Sequence, residues 1–134
     1  MTGIVLDTHA LVWWVNGDPL LSPDATSAIN KAMSNDRDII VSSISAWELA
    51  MLVDKGRLSL NMDIADWLTT VESIEQVTFV PVDNDIAVAS VVLPGNFHKD
   101  PADRMIVATA RKLGYALLTA DEKIQKYQHV KTIW

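Results

Sequence analysis

Several short apolar runs limit the fold most: IVL at 4–6, IIVS at 39–42, VTFVPV at 77–82 and YALLT at 115–119. A strand with one wet face alternates apolar and polar residues, whereas one covered on both faces reads as continuous Val, Ile and Leu. Between these runs lie longer stretches of helical character. One begins near Thr8, and another opens at Ser22-Pro23, with serine as N-cap and proline in the first turn. AWELAMLVDK follows Ser45 and stops at Gly56, and a further helix covers Ile64 to Glu72. DNDIAVASVVL ends before Pro94-Gly95, and PADRMIVATARKL begins at Asp100-Pro101 and closes at Gly114. A short helix starts at Asp121, and Val130 to Trp134 reads as a final edge strand. Strands alternating with helices predict a three-layer α/β/α fold around a parallel sheet of about four to five strands. Right-handed crossovers then place the carboxyl ends of the strands along one edge.

At 134 residues the chain is expected to form one domain, 1–134, and its 49% hydrophobic content excludes a disordered chain. No cysteine is present, which excludes disulfides and thiolate metal sites. MTGIVLD lacks a basic leader segment, and no apolar run reaches the ~18 residues of a membrane span. A soluble, cytoplasmic domain is the expectation. The net charge of −6 argues against broad electrostatic binding of nucleic acid, so an anionic substrate needs local help.

Four acids fall where a core would exclude them. Asp7 ends the first apolar run and Asp121 follows YALLT, both on the edge where open α/β sheets bind ligands. Glu48 lies within the stripe Ile44, Trp47, Met51 and Leu52, and Asp103 heads the stripe Ile106, Val107, Ala110 and Leu113. An inward carboxylate is costly unless it is paired, hydrogen-bonded or bound to metal. Each acid also has a structural explanation. Ser45-x-x-Glu48 fits a capping box, Asp103 follows the cap Asp100 in a first turn, and Asp7 and Asp121 fit N-caps. Capping does not require acids from separate elements to converge on one edge. A divalent metal site does.

In chain order, Asp7-Thr8, SSISAWE ending at Glu48, HKDPADRMIVATA around Asp103 and LLTAD ending at Asp121 resemble the PIN-domain family. The small size resembles the VapC-type toxins of bacterial and archaeal toxin–antitoxin pairs. The resemblance covers nearly the whole chain, most loosely from Gly56 to Gln76. It implies a PIN-like fold, Mg²⁺- or Mn²⁺-dependent cleavage of RNA, inhibition by a cognate antitoxin protein, and a homodimer. By position it makes Asp7, Glu48, Asp103 and Asp121 the catalytic metal-binding cluster, with Thr8 and Thr119 as accessory hydroxyls.

The chemistry suits these residues without the name. Mg²⁺ takes oxygen ligands, keeps several waters and commonly binds one or two carboxylates plus substrate phosphate. One ion, or two about 4 Å apart, would polarise a phosphodiester and activate water. Asp7 and Asp103 are assigned as direct ligands, and Glu48 and Asp121 as acting through water or a second ion. Lys55, Arg57, Lys99 and Arg104 are candidates for a basic rim, with Lys99 and Arg104 as candidate substrate-binding residues. Trp13 and Trp14 continue a helical apolar pattern and read as core or interface before base-stacking surface. His9, His98 and His129 are too scattered for a histidine-based ribonuclease, although His98 lies beside the proposed site. Two other classes stay open. A phosphatase with a nucleophilic aspartate would want a second acid where His9 stands, and a receiver-like interaction module would want an acidic pair.

Overall fold

The computed structural model describes residues 3–134. The chain runs β1 (Ile4–Leu6), α1 (Thr8–Val15), α2 (Pro23–Ser34), β2 (Ile39–Ser42), α3 (Ser43–Asp54) and α4 (Ile64–Glu72), then β3 (Val77–Val80), α5 (Asn84–Val91), α6 (Pro101–Leu113), β4 (Ala116–Leu118), α7 (Glu122–Gln125) and β5 (Thr132–Ile133). The strands form one sheet in the order β3-β2-β1-β4-β5, and every pairing is parallel. Val5 of the central strand lies opposite Ile40 on one side and Leu117 on the other.

The unbroken apolar runs are explained by two cores, one on each face of the sheet. Ile4, Leu6, Ile39, Val41, Val77 and Leu118 pack with α1, α2 and α4. The intervening residues Val5, Ile40 and Leu117 pack with α5, α6 and α7. Successive side chains of a strand point to opposite faces, so both positions must be apolar when both faces are covered. Each fully buried aliphatic side chain contributes about 1.5–3 kcal/mol. Among the described residues, no helix is long and apolar enough to cross a membrane.

Local sequence fixes the element ends. Asp100 accepts a hydrogen bond from Asp103 N at 3.0 Å and is followed by Pro101, while Gly114 ends α6 with φ 70°. Gly3 is required by close approach, because a Cβ there would lie 2.5 Å from the Asp38 carbonyl oxygen. That contact sits beside the Ile4 N–H donation to Asp38 O at 2.9 Å, which brings the start of β1 against the end of the turn before β2.

One helix differs from the sequence expectation. The helix expected to start at Ser45 begins at Ser43, capped by Ser42, whose Oγ accepts from Ile44 N at 3.2 Å. The capping box between Ser45 and Glu48 does not form, because Ser45 is buried inside the first turn and bonded across the fold. The buried side of α3 is Ser45 and Leu49, and Trp47 of the expected stripe is 54% exposed. α3 is apolar nearly all round, so its period did not identify the inward face.

Candidate active site

Asp7 stands one residue beyond β1, at the carboxyl edge of the sheet, and is 4% exposed. It caps α1: Oδ1 accepts from Thr8 N at 2.8 Å. Its Oδ2 accepts from the Thr119 hydroxyl at 2.7 Å, which reaches over from the end of the neighbouring β4. Thr119 Oγ1 in turn accepts from Asp121 N at 3.0 Å. Having given its proton to Asp7, this hydroxyl faces Asp121 N–H with a lone pair, so one side chain joins the two strand-end acids. Asp121 caps α7, with Oδ1 accepting from Lys123 N at 2.8 Å and Ile124 N at 3.3 Å.

The other two acids arrive on helices. Thr8 Oγ1 donates to Glu48 Oε1 at 2.6 Å and lies 2.8 Å from Ser45 Oγ. Thr8 has one hydroxyl proton and directs it to the carboxylate, so Ser45 is the donor to Thr8. Asp103 occupies the first turn of α6, and its Oδ2 lies 3.0 Å from His98 Nε2. Among the described residues the buried His98 Nε2 has no hydrogen-bond partner. Among those residues, Asp103 therefore has a close neighbour but no hydrogen bond to its carboxylate.

The neighbouring acids act together on Asp103 and Glu48. Burial, then Asp7, Asp100, Asp121 and Glu48, push the Asp103 carboxyl up from 3.8 to about 7. Burial also raises Glu48; the Thr8 hydrogen bond opposes this, and Asp7 and Asp100 add to it. Desolvation and like charge both disfavour a carboxylate, and here they act together.

The family now follows from comparison. The PIN domain model matches residues 4–130 of this chain. The chain belongs to the PIN-domain family. It is 35% identical over 136 residues to Ribonuclease VapC22 of Mycobacterium tuberculosis (strain ATCC 25618 / H37Rv), covering 100% of both chains. The fold is similar to a chain in the structure of VapBC2 from Rickettsia felis bound to a DNA fragment from their promoter. There the TM-score is 0.70 and the identity 18%, over 96% of each chain. It is also similar to a chain of DNA-bound VapBC from Salmonella typhimurium, with TM-score 0.67, 19% identity, and 98% and 97% of the two chains covered.

In this PIN domain the donor set is made of carboxylate and hydroxyl oxygens, which suits a hard divalent cation such as Mg²⁺ or Mn²⁺. Among the described residues, no three acidic or histidine side chains are gathered tightly enough to hold an ion by themselves. A water-rich ion held by one or two carboxylates does not need three, and each Asp7 oxygen has accepted one bond of its capacity. Asp103, desolvated and surrounded by like charge, is the group that a cation would relieve. The residues fit the ion.

The structure also adds residues that the motifs did not single out. Ser45 holds Thr8, and Asp100 adds a fifth negative charge beside Glu48 and Asp103. His9 accepts from Ala120 N through Nε2 at 2.8 Å, which places its proton on Nδ1, 3.7 Å from Asp7 Oδ2. It thereby ties α1 to the loop carrying Thr119 and Asp121. Its ring contacts Trp13 and Trp134, at 5.0 and 5.8 Å between centroids. Trp13 and Trp14 pack, partly buried, against the core on the α1 face. The Arg104 guanidinium is turned inward, bonding the carbonyls of Ser90, Val91, Phe97 and His98 at 2.7–3.2 Å. It anchors the segment leading to Lys99, whereas Lys55, Arg57 and Lys99 are exposed. His129 lies apart, against Tyr127.

Proposed function

We propose that the chain is a Mg²⁺- or Mn²⁺-dependent endoribonuclease, the toxin of a toxin–antitoxin pair, working in the cytoplasm and hydrolysing RNA phosphodiester bonds. The observation that carries this reading is the gathering of acids at the carboxyl edge of the sheet: Asp7 and Asp121 joined through Thr119, Glu48 held by Thr8, and Asp103, which burial and the neighbouring carboxylates push up. An arrangement so unfavourable to an isolated acid belongs to a site that a cation completes. The relative identical at 35% over its full length bears the name ribonuclease, and the similar folds include a chain of a toxin–antitoxin complex from Klebsiella pneumoniae.

Asp7 and Asp103 would hold the ion, with Glu48 and Asp121 acting through water or a second ion. A bound divalent ion supplies polarisation of the phosphodiester and acidification of water at neutral pH. The protein's own groups do the positioning. Thr119 fixes the Asp7 carboxylate, and Ser45 through Thr8 fixes that of Glu48. His9 holds the loop of Asp121 against α1. Lys99 stands exposed before α6, where a substrate phosphate would meet it. The remaining partners in this reading are a cognate antitoxin, whose basic side chain enters the acidic edge, and a second copy of the chain.

Incubation of labelled RNA with Mg²⁺ or Mn²⁺, with and without EDTA, tests the reading. Cleavage that requires the ion is expected, together with growth arrest on expression of the chain alone. RNA left intact with both ions would overturn it, and cutting unaffected by EDTA would overturn the metal.

A further inference from the structure

Beside the acids lies a cleft between α3 and the start of α6. It has a volume of about 360 Å³ and is lined by Ile44, Trp47, Met51, Pro101 and Ala102, with Glu48 and Asp100 among them. Trp47 is 54% exposed and, like Met51, joins neither core. An indole left open beside an active-site carboxylate is unusual on structural grounds alone, since tryptophan contributes most when covered.

We propose that this cleft is a nucleobase subsite, taking one unpaired base of the RNA, next to the scissile phosphate, stacked on Trp47. The inference rests on the ribonuclease reading and adds how that site selects its substrate. Three features favour a base over other parts of the chain. The apolar walls offer a flat face to a ring, and single-stranded RNA is read by stacking on aromatic side chains. The carboxylates of Glu48 and Asp100 repel phosphate but accept hydrogen bonds from base amino groups, so bases carrying an exocyclic amino group are favoured over uracil. Glu48 lines the cleft and also receives the Thr8 hydroxyl, so a base seated there brings its own backbone to the acids. The cation site itself recognises phosphate, which every nucleotide shares. Base choice needs a separate surface, and this one is continuous with the acids.

The experiment has three steps. The cut sites of the wild-type protein are mapped on a randomised RNA pool with Mg²⁺ or Mn²⁺. A short RNA spanning one site is then made with an abasic nucleotide at each flanking position in turn. Wild type, Trp47→Ala and Trp47→Phe are compared on this set, with melting curves as a check on folding. One abasic position is expected to raise KM in the wild type by roughly 5- to 150-fold, the range for loss of one base–aromatic stack. Trp47→Ala should show that higher KM on intact RNA, with little change in kcat, and should no longer distinguish the abasic substrate. Trp47→Phe should restore part of the difference. If the wild type cuts RNA but Trp47→Ala keeps its KM and its cut sites, the subsite is wrong and the ribonuclease reading stands. The subsite is equally wrong if Trp47→Ala cuts normally but loses binding of a co-expressed antitoxin, because the cleft then belongs to a protein partner. A wild type that cuts no RNA overturns both.

Discussion

At the strand-borne half of the site, Asp7 and Asp121 are tied into the fold. Asp7 receives a hydrogen bond on each carboxylate oxygen, and Asp121 caps two N–H groups of α7. At the helix-borne half, Glu48 receives one hydroxyl, and Asp103 receives no hydrogen bond among the described residues. Both helix-borne acids are raised by burial, and in Asp103 the neighbouring carboxylates take the value to about 7. Acids of the first kind serve the fold and the site together. Those of the second kind oppose the fold, and under the proposed function a cation would offset that cost. Neutralising Asp7 and neutralising Asp103 should therefore change stability in opposite directions while both lower activity.

The largest expected effect is on catalysis. Under the proposed function, Asp7→Asn should lower metal-dependent RNA cleavage by at least ~10²-fold, since it would weaken the hold on an ion that stabilises the transition state by several kcal/mol. Stability should fall as well. Thr8 N–H and the Thr119 hydroxyl both point donors at Asp7, and an amide offers an acceptor to one of them. A folded Asp7→Asn protein with wild-type activity would remove Asp7 from the site. Thr119→Val comes next. It leaves Asp7 Oδ2 and Asp121 N without this partner at almost no change in volume, and should cost about 1–3 kcal/mol in chemical denaturation. An unchanged midpoint would show that the strand-borne half is not held in this way.

Asp103→Asn should move stability the other way. Without metal the variant should be more stable by roughly 0.5–2 kcal/mol at pH 8, the usual size of a single stabilising change at a strained functional site. The pH dependence has a definite sign. The folded Asp103 holds its proton up to about pH 7, whereas an unfolded aspartate loses it near 3.8. Between those values the folded state binds the extra proton, so the stability of the metal-free protein falls as pH rises across that window and levels off above it. The variant should lack this part of the slope. Added Mg²⁺ should stabilise the wild type by mass action and the variant much less. Melts in EDTA and in Mg²⁺ at several pH values decide the point. A destabilised variant that responds to metal as the wild type does would place Asp103 with the caps.

What the sequence disclosed follows the same division. The parallel sheet was legible because doubly covered strands read as continuous apolar runs, as Ile4–Leu6 and residues 39–41 do. Asp7 and Asp121 were legible because strand ends are easy to locate. Helix α3 was misread: its apolar residues surround it, so Trp47 passed for core and Ser45 for a cap. Three serines in SSIS offered three starts, and the choice turned on a contact with Thr8, 37 residues away, that no local pattern contains. Arg104 was set on the rim by its position beside Asp103, yet the carbonyls it holds belong to a loop whose path depends on tertiary folding.

Asp121→Asn gives the smallest expected change in stability and separates capping from chemistry most cleanly. Asparagine caps helices about as well as aspartate, so Lys123 N and Ile124 N keep an acceptor. The charge is lost near a helix N-terminus, a penalty of about 0.3–1 kcal/mol, and α7 spans only Glu122–Gln125, which keeps the effect at the low end. Relief of Asp103 acts in the opposite direction, because Asp121 is one of the carboxylates that raise it. The two contributions nearly cancel, and the melting temperature of the metal-free protein should stay within a few degrees of the wild type. Cleavage should nevertheless fall, most steeply at low Mg²⁺, because a carboxylate that acts through water or a second ion matters most when the ion is scarce. Activity of the variant across a Mg²⁺ titration, beside its melting curve, is the measurement. Wild-type cleavage at every Mg²⁺ concentration would make Asp121 a cap and nothing more, and would leave the site with three acids.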